Sequence, residues 1–223
     1  MADPQWTVVD TYLTGLLVRP DKALDGALDT IAAEGLPSIS VAPNQGKLLY
    51  LLARMIGARS VLEIGTLGAY STIWLARALP ADGRVITLEA DPKHADVAKR
   101  NLTRAGLSST VDLRLGVALE TLPKIAAEKL GPFDVIFIDA DKVNTTAYFE
   151  WALKLSHIGS LILVDNVVRD GAVADPKTAD ASVKGMRRFF DRLAAEPRVE
   201  ATAIQTVGSK GYDGLAIARV IAD

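Results

Sequence analysis

From residue 61 onward the chain alternates short apolar runs with longer segments of helical composition, and this alternation restricts the fold more than any other feature. The runs are Val61–Ile64, Val85–Leu88, Val111–Leu113, Phe133–Ile138 and Leu161–Val164. Short, largely apolar runs suit strands buried on both faces, and strands separated by helices pair in parallel. The packing solution is an α/β fold with a doubly wound, mostly parallel sheet. Residues 5–57 contain no convincing strand run. Leu13, Leu16, Leu17, Ala23, Leu24, Ala27, Leu28 and Ile31 fall at helical spacing, so two or three helices are predicted there. The clearest opens at Pro43-Asn44 and closes at Gly57. Asp91-Pro92 predicts a helix start running to about Gly106, and Gly159 reads as the end of another. After the fifth run, a helix near Val183–Ala195 precedes two strands, Val199–Thr206 and Leu215–Ile221, joined by a turn region from Gly208 to Gly214. Val167 to Ala181 is the longest irregular connection, and loops of that length often carry function.

Composition narrows the partners. The chain has 223 residues, 25 basic and 27 acidic, for a formal charge of -2. It therefore lacks the cationic face that nucleic acid or anionic lipid requires. With no cysteine, disulfides, thiolate zinc sites and cysteine nucleophiles are all excluded. Only His94 and His157 are available as imidazoles, and neither has an obvious partner in the sequence. The N-terminus lacks the basic start and apolar core of a signal peptide. The longest uncharged stretch is Ile64 to Ala76, short of the ~18 residues of a membrane span. A single cytoplasmic domain spanning 1–223 is the expectation.

In an open parallel sheet, ligands bind beyond the carboxyl ends of the strands. The first strand ends Glu63-Ile64-Gly65-Thr66-Leu67-Gly68-Ala69-Tyr70-Ser71 and enters a helix. The glycines there admit close backbone approach, and the helix N-terminus offers free N–H groups. A merely structural turn would use glycine too. Glu89 ends the second strand, at the spacing where an acid accepts hydrogen bonds from ribose hydroxyls. Turn and acid together indicate an adenosine-type cofactor. The fingerprint G-x-G-x-x-G is absent, which points away from a dinucleotide and counts against an NAD-dependent oxidoreductase.

The fourth and fifth strands end Asp139-Ala140-Asp141-Lys142 and Asp165-Asn166. As neighbours in the usual strand order, they would bring Asp139 and Asp165 out about 5 Å apart. Two such carboxylates repel unless a proton or a cation lies between them. With the Asn166 amide they make three hard oxygen ligands suited to Mg²⁺, Mn²⁺ or Ca²⁺. N-capping of the following helices by each Asp explains the same spacing equally well. Lys142 is a surface lysine on one reading. On the other, beside a cation and partly desolvated, it serves as a general base.

Taken together, these stretches resemble the cation-dependent O-methyltransferases that include caffeoyl-CoA and catechol O-methyltransferases, especially their bacterial branch. The resemblance rests on Val-Ala-Pro-Asn-Gln-Gly at 41–46, Leu-Glu-Ile-Gly-Thr at 62–66, Ala-Tyr-Ser at 69–71, Phe-Asp-Val-Ile-Phe-Ile-Asp-Ala-Asp-Lys at 133–142 and Leu-Val-Asp-Asn at 163–166. It implies a Rossmann-like class I methyltransferase fold with a seven-stranded sheet. Residues 58–223 would be the core, and residues 1–57 would cover the site and supply a contact for a homodimer. It places S-adenosylmethionine against Val41, Glu63, Gly65, Thr66, Ser71, Glu89, Ala118, Asp139 and Asp141. Mg²⁺ falls to Asp139, Asp165 and Asn166, and the base to Lys142. Asp139, Lys142 and Asp170 would meet a small aromatic diol, methylated on one hydroxyl. A non-catalytic adenosyl-ligand sensor is the alternative from another class. Three positions depart from the family pattern. Ala69 replaces a glycine, with Gly68 beside it as a source of flexibility; Thr145 replaces a tyrosine; and Arg169 stands where plant enzymes carry tryptophan.

Overall fold

In the computed structural model, which describes residues 3–223, aspartates and prolines mark where helices begin. The first three helices are α1 (Pro4–Leu17), α2 (Lys22–Ala33) and α3 (Pro43–Met55). Asp21 accepts the N–H groups of Ala23 and Leu24 at 2.9 and 3.0 Å, satisfying donors that have no partner inside α2. Proline opens α1 and α3, where its missing N–H costs nothing. The helices expected in 5–57 are thus present; Met1 and Ala2 lie outside the described residues.

The alternating part follows as β1 (Ser60–Ile64), α4 (Tyr70–Ala78), β2 (Arg84–Glu89), α5 (Pro92–Arg104), β3 (Val111–Leu115), α6 (Ala118–Ala127), β4 (Val135–Ile138), α7 (Thr145–Lys154), β5 (Leu161–Asp165), α8 (Ala181–Ala194), β6 (Val199–Gly208) and β7 (Gly211–Val220). The seven strands lie in the order β3-β2-β1-β4-β5-β7-β6, parallel except for β7 and β6. The order reverses at β1, which pairs with β2 on one side and β4 on the other. That reversal opens the crevice in which an α/β sheet binds ligands.

Side-chain alternation divides the core. Val61, Val85, Val135, Phe137 and Leu163 pack under α2–α5, whereas Leu62, Ile64, Ile86, Ile136, Ile138 and Ile162 pack under α6–α8. Each such buried side chain contributes about 1.5–3 kcal/mol. Leu24, Ala27, Ile31, Leu49 and Ala53 from α2 and α3 belong to the first of these clusters, so the N-terminal helices share the core of the sheet. Glu63 points to the same face as Val61, and an acid there needs partners.

Two boundaries differ from expectation. β6 and β7 run further than predicted, and the turn shrinks to Ser209-Lys210. Most of β6 is exposed, so it carries no alternating pattern from which its end could be read. Helix α7 ends at Lys154; Gly159 lies beyond it, in the turn entering β5, where its N–H donates to the Val220 carbonyl at 2.8 Å.

Candidate active site

Beyond the carboxyl ends of β1, β2 and β4 lies a cavity of about 610 Å³. Gly65 makes its floor possible. The residue has φ +100°, and a Cβ there would stand 2.0 Å from the Asp139 carbonyl oxygen, so the chain leaving β1 passes β4 at a distance only glycine tolerates. Ala69 and Leu67 take left-handed backbone at φ 66° and 50°. Gly68 therefore does not supply the flexibility expected of it. Its value is space, because a Cβ would strike Ile31.

Two glutamates organise this half. Glu89 Oε2 accepts the N–H groups of Thr66 and Leu67 at 3.3 and 2.7 Å, and Oε1 accepts that of Asp91 at 2.9 Å. Its carboxylate lines the cavity, with acceptor capacity left for hydroxyl donors. His94 Nδ1 sits 3.6 Å away. Glu63 is fully buried and outside the cavity lining. It accepts from Ser71 (2.6 Å), Thr72 (2.5 Å) and Thr87 (2.6 Å), which tie α4 and β2 to β1. Burial outweighs these bonds and pushes the Glu63 carboxyl up to about 7.

The other half is held less completely. Asp139 Oδ1 accepts from Lys142 Nζ at 3.0 Å, and the lysine is itself buried. Gly185 of α8 lets the turn carrying Lys142 come close, since a Cβ there would lie 2.1 Å from the Lys142 carbonyl oxygen. Asp165, only 4% exposed, accepts the N–H of Asn166 at 2.8 Å. The buried Gln45 amide nitrogen faces this carboxylate and eases its ionisation, although it lies outside hydrogen-bond geometry. Burial, and then the Asp139 carboxylate, push the Asp165 carboxyl up. Neither Asp139 nor Asp165 caps a helix. That task falls to Asp141, whose Oδ1 accepts the Asn144 N–H at 3.1 Å and whose Oδ2 accepts from the Tyr148 hydroxyl at 2.5 Å.

Of the residues predicted for the site, Val41, Gly65, Thr66, Ser71, Glu89, Ala118, Asp139, Asp141, Lys142 and Asn166 line the cavity. Glu63 and Asp165 lie behind the lining, whereas Asp170 is exposed and outside it. Both histidines have acidic neighbours that the sequence did not reveal: His94 has Glu89, and His157 Nε2 lies 2.9 Å from Asp134. Tyr148, Asn144, Ser182 and Arg169 also line the cavity without having been singled out as contacts. For Arg169 a signal existed, its departure from the family pattern.

Comparison with known proteins agrees with this fold. The O-methyltransferase family profile matches residues 22–221. A catechol O-methyltransferase of Niastella koreensis is 55% identical over 212 residues, covering 95% of this chain and 96% of its own. Among solved structures, the O-methyltransferase from Bacillus cereus in complex with SAH superposes with a TM-score of 0.96 at 57% identity, covering 97% of this chain and 98% of its own. The O-methyltransferase TomG from Streptomyces achromogenes, in complex with SAM, gives a TM-score of 0.96 at 49% identity, with both chains covered completely. A class I fold, a cavity at the strand reversal and matches over nearly the whole chain establish that this protein belongs to the O-methyltransferase family, the enzymes that transfer a methyl group from S-adenosylmethionine to oxygen.

Proposed function

We propose that the methyl acceptor is one hydroxyl of a vicinal dihydroxy aromatic compound, and that a hard divalent cation of the Mg²⁺, Mn²⁺ or Ca²⁺ kind, with Mg²⁺ as the first to test, is required. The observation that carries this reading is the pairing of Asp139 and Asp165 at the ends of adjacent strands with too little positive charge between them. Each carboxylate has a single hydrogen-bond donor, and the Asn166 side chain has none, among the described residues. Two acids and an amide oxygen fit a hard cation, which needs oxygen donors and leaves positions open for a chelating diol. A bound Mg²⁺ supplies Lewis acidity that lowers the pKa of a coordinated hydroxyl.

The chain's own residues do the rest. Glu89 accepts from the ribose hydroxyls, and Val41, Thr66, Ser71, Ala118 and Asp141 shape the cofactor's side of the cavity. Glu63 acts one layer back, fixing Ser71. Lys142 Nζ, the amine nearest the two acids, takes the proton from the acceptor hydroxyl as the oxygen–methyl bond forms and the sulfur–methyl bond breaks. Positioning the oxygen in line with that methyl group is the larger contribution. The test is transfer of labelled methyl from S-adenosylmethionine to catechol. Turnover is expected to vanish with EDTA and return with Mg²⁺; turnover undiminished by EDTA would overturn the cation requirement.

We also propose that two copies associate through α1. Val8, Tyr12, Leu16 and Leu17 are each about two-thirds exposed, and Ile204 and Val207 extend the apolar surface onto neighbouring β6. Continuous apolar surface of this kind marks an interface. Light scattering should report a dimer for the native chain and a monomer for Leu16→Glu, and a native monomer would remove the interface. No described helix is long and apolar enough to cross a membrane.

A further inference from the structure

We propose that Arg169 makes the enzyme select acceptors whose aromatic ring bears an anionic substituent, a carboxylate above all. The inference rests on the diol reading of the acceptor site and specifies which diols it takes.

Arg169 lines the cavity three residues beyond Asn166, on the connection that leaves β5. Its backbone lies at φ 56° and that of Asp170 at 54°, a left-handed pair that L side chains rarely adopt. Asp213 of β7 enforces this path: its Oδ1 accepts the N–H groups of Val168 and Arg169, each at 2.9 Å. The structure thus holds a strained backbone in place and presents a guanidinium to the acceptor end of the cavity.

That guanidinium is under-used. Asp213 Oδ2 approaches Nη1 only to 3.8 Å, the buried Nε has no partner, and the side chain donates no hydrogen bond among the described residues. Neighbouring basic side chains are engaged elsewhere: Lys142 on Asp139, Arg187 on the Val173 carbonyl at 2.6 Å and Arg188 on the Val143 carbonyl at 3.2 Å. A planar fork with free donors fits a carboxylate through two parallel hydrogen bonds. A neutral substituent would leave the charge of the accessible Nη end uncompensated within the cavity, and an ammonium would be repelled. The expected order of preference is anionic, then neutral, then cationic.

The experiment compares kcat/KM for 3,4-dihydroxybenzoate, 4-methylcatechol and dopamine in the native enzyme, Arg169→Gln and Arg169→Lys. Because the substituent also alters the intrinsic reactivity of the diol, the informative quantity is the change in the benzoate-to-methylcatechol ratio between proteins. Any loss of folded enzyme cancels in that ratio. Arg169→Gln should lower the ratio by about tenfold to a hundredfold, mainly through KM for the benzoate. Arg169→Lys, which keeps the charge but not the fork, should fall between. An equal loss on all three acceptors, or no change in the ratio, would overturn selection by Arg169 and leave the diol reading intact. If the native enzyme methylates none of the three, both readings fall together.

Discussion

The two halves of the cavity solve opposite problems with the same kinds of side chain. On the cofactor side, Glu63 accepts from three hydroxyls and Glu89 from three backbone N–H groups. On the acceptor side, Asp139 has the Lys142 Nζ, Asp165 has one backbone N–H, and neither the Asn166 amide nor the Arg169 guanidinium donates or accepts a side-chain bond among the described residues. Buried polar groups are normally satisfied, so the two glutamates of the first half are held in place by the protein itself, and the acids of the second are arranged to be completed from outside. Under the proposed function, the cofactor side would be a preorganised mould, and the acceptor side a set of polar groups awaiting their counterparts.

The largest effect expected from this contrast is at Asp165. Asp165→Ala should lower methyl transfer on the order of 10²–10³-fold while leaving binding of S-adenosylmethionine, measured by calorimetry, nearly intact. Lys142→Ala should cost less, on the order of 10²-fold, because under the proposed function it would remove the proton acceptor and leave the proposed cation ligands in place. A loss at Lys142 exceeding that at Asp165, or weakened cofactor binding in Asp165→Ala, would break the division between the halves.

How much of this was legible in the sequence follows from burial. β1, β2, β4 and β5 are covered on both faces, and their apolar runs end within a residue or two of the observed strands, so the acids that close them fell where expected. β6 is exposed along most of its length, and its boundary with β7 was missed for want of any pattern. The capping reading of Asp139 and Asp165 failed because spacing alone does not tell which acid of Asp139-Ala140-Asp141 meets the helical N–H groups; Asp141 does. The least legible features join distant segments. Glu63 meets Ser71, Thr72 and Thr87 only after β1, α4 and β2 assemble. Asp10, buried in α1, accepts from Asn44 Nδ2 at 2.8 Å and the Ser209 N–H at 2.7 Å, tying the first turn of α3 to the terminal hairpin. No local pattern announces either.

The smallest effect on turnover, and the sharpest on stability, is expected at Glu63, which serves the cofactor half without entering the cavity. Its carboxyl is raised from 4.5 to about 7, chiefly by burial. Between those values the folded protein keeps a proton that the unfolded chain has released, so the folded state binds more protons. Stability from this group is therefore fully present below the unfolded value and is lost as pH rises toward 7, with a slope of up to about 1.4 kcal/mol per pH unit. Glu63→Gln remains neutral throughout and can still meet the three hydroxyls, which reorient to donate or accept. Urea midpoints of native and variant proteins at pH 5, 6 and 7 isolate the effect, because every other titrating group, including His157 paired with Asp134, is common to both. The variant should gain on the native protein as pH rises. A stability difference independent of pH would mean that the hydroxyls hold Glu63 ionised, and the cofactor half would then contain a buried charge of its own.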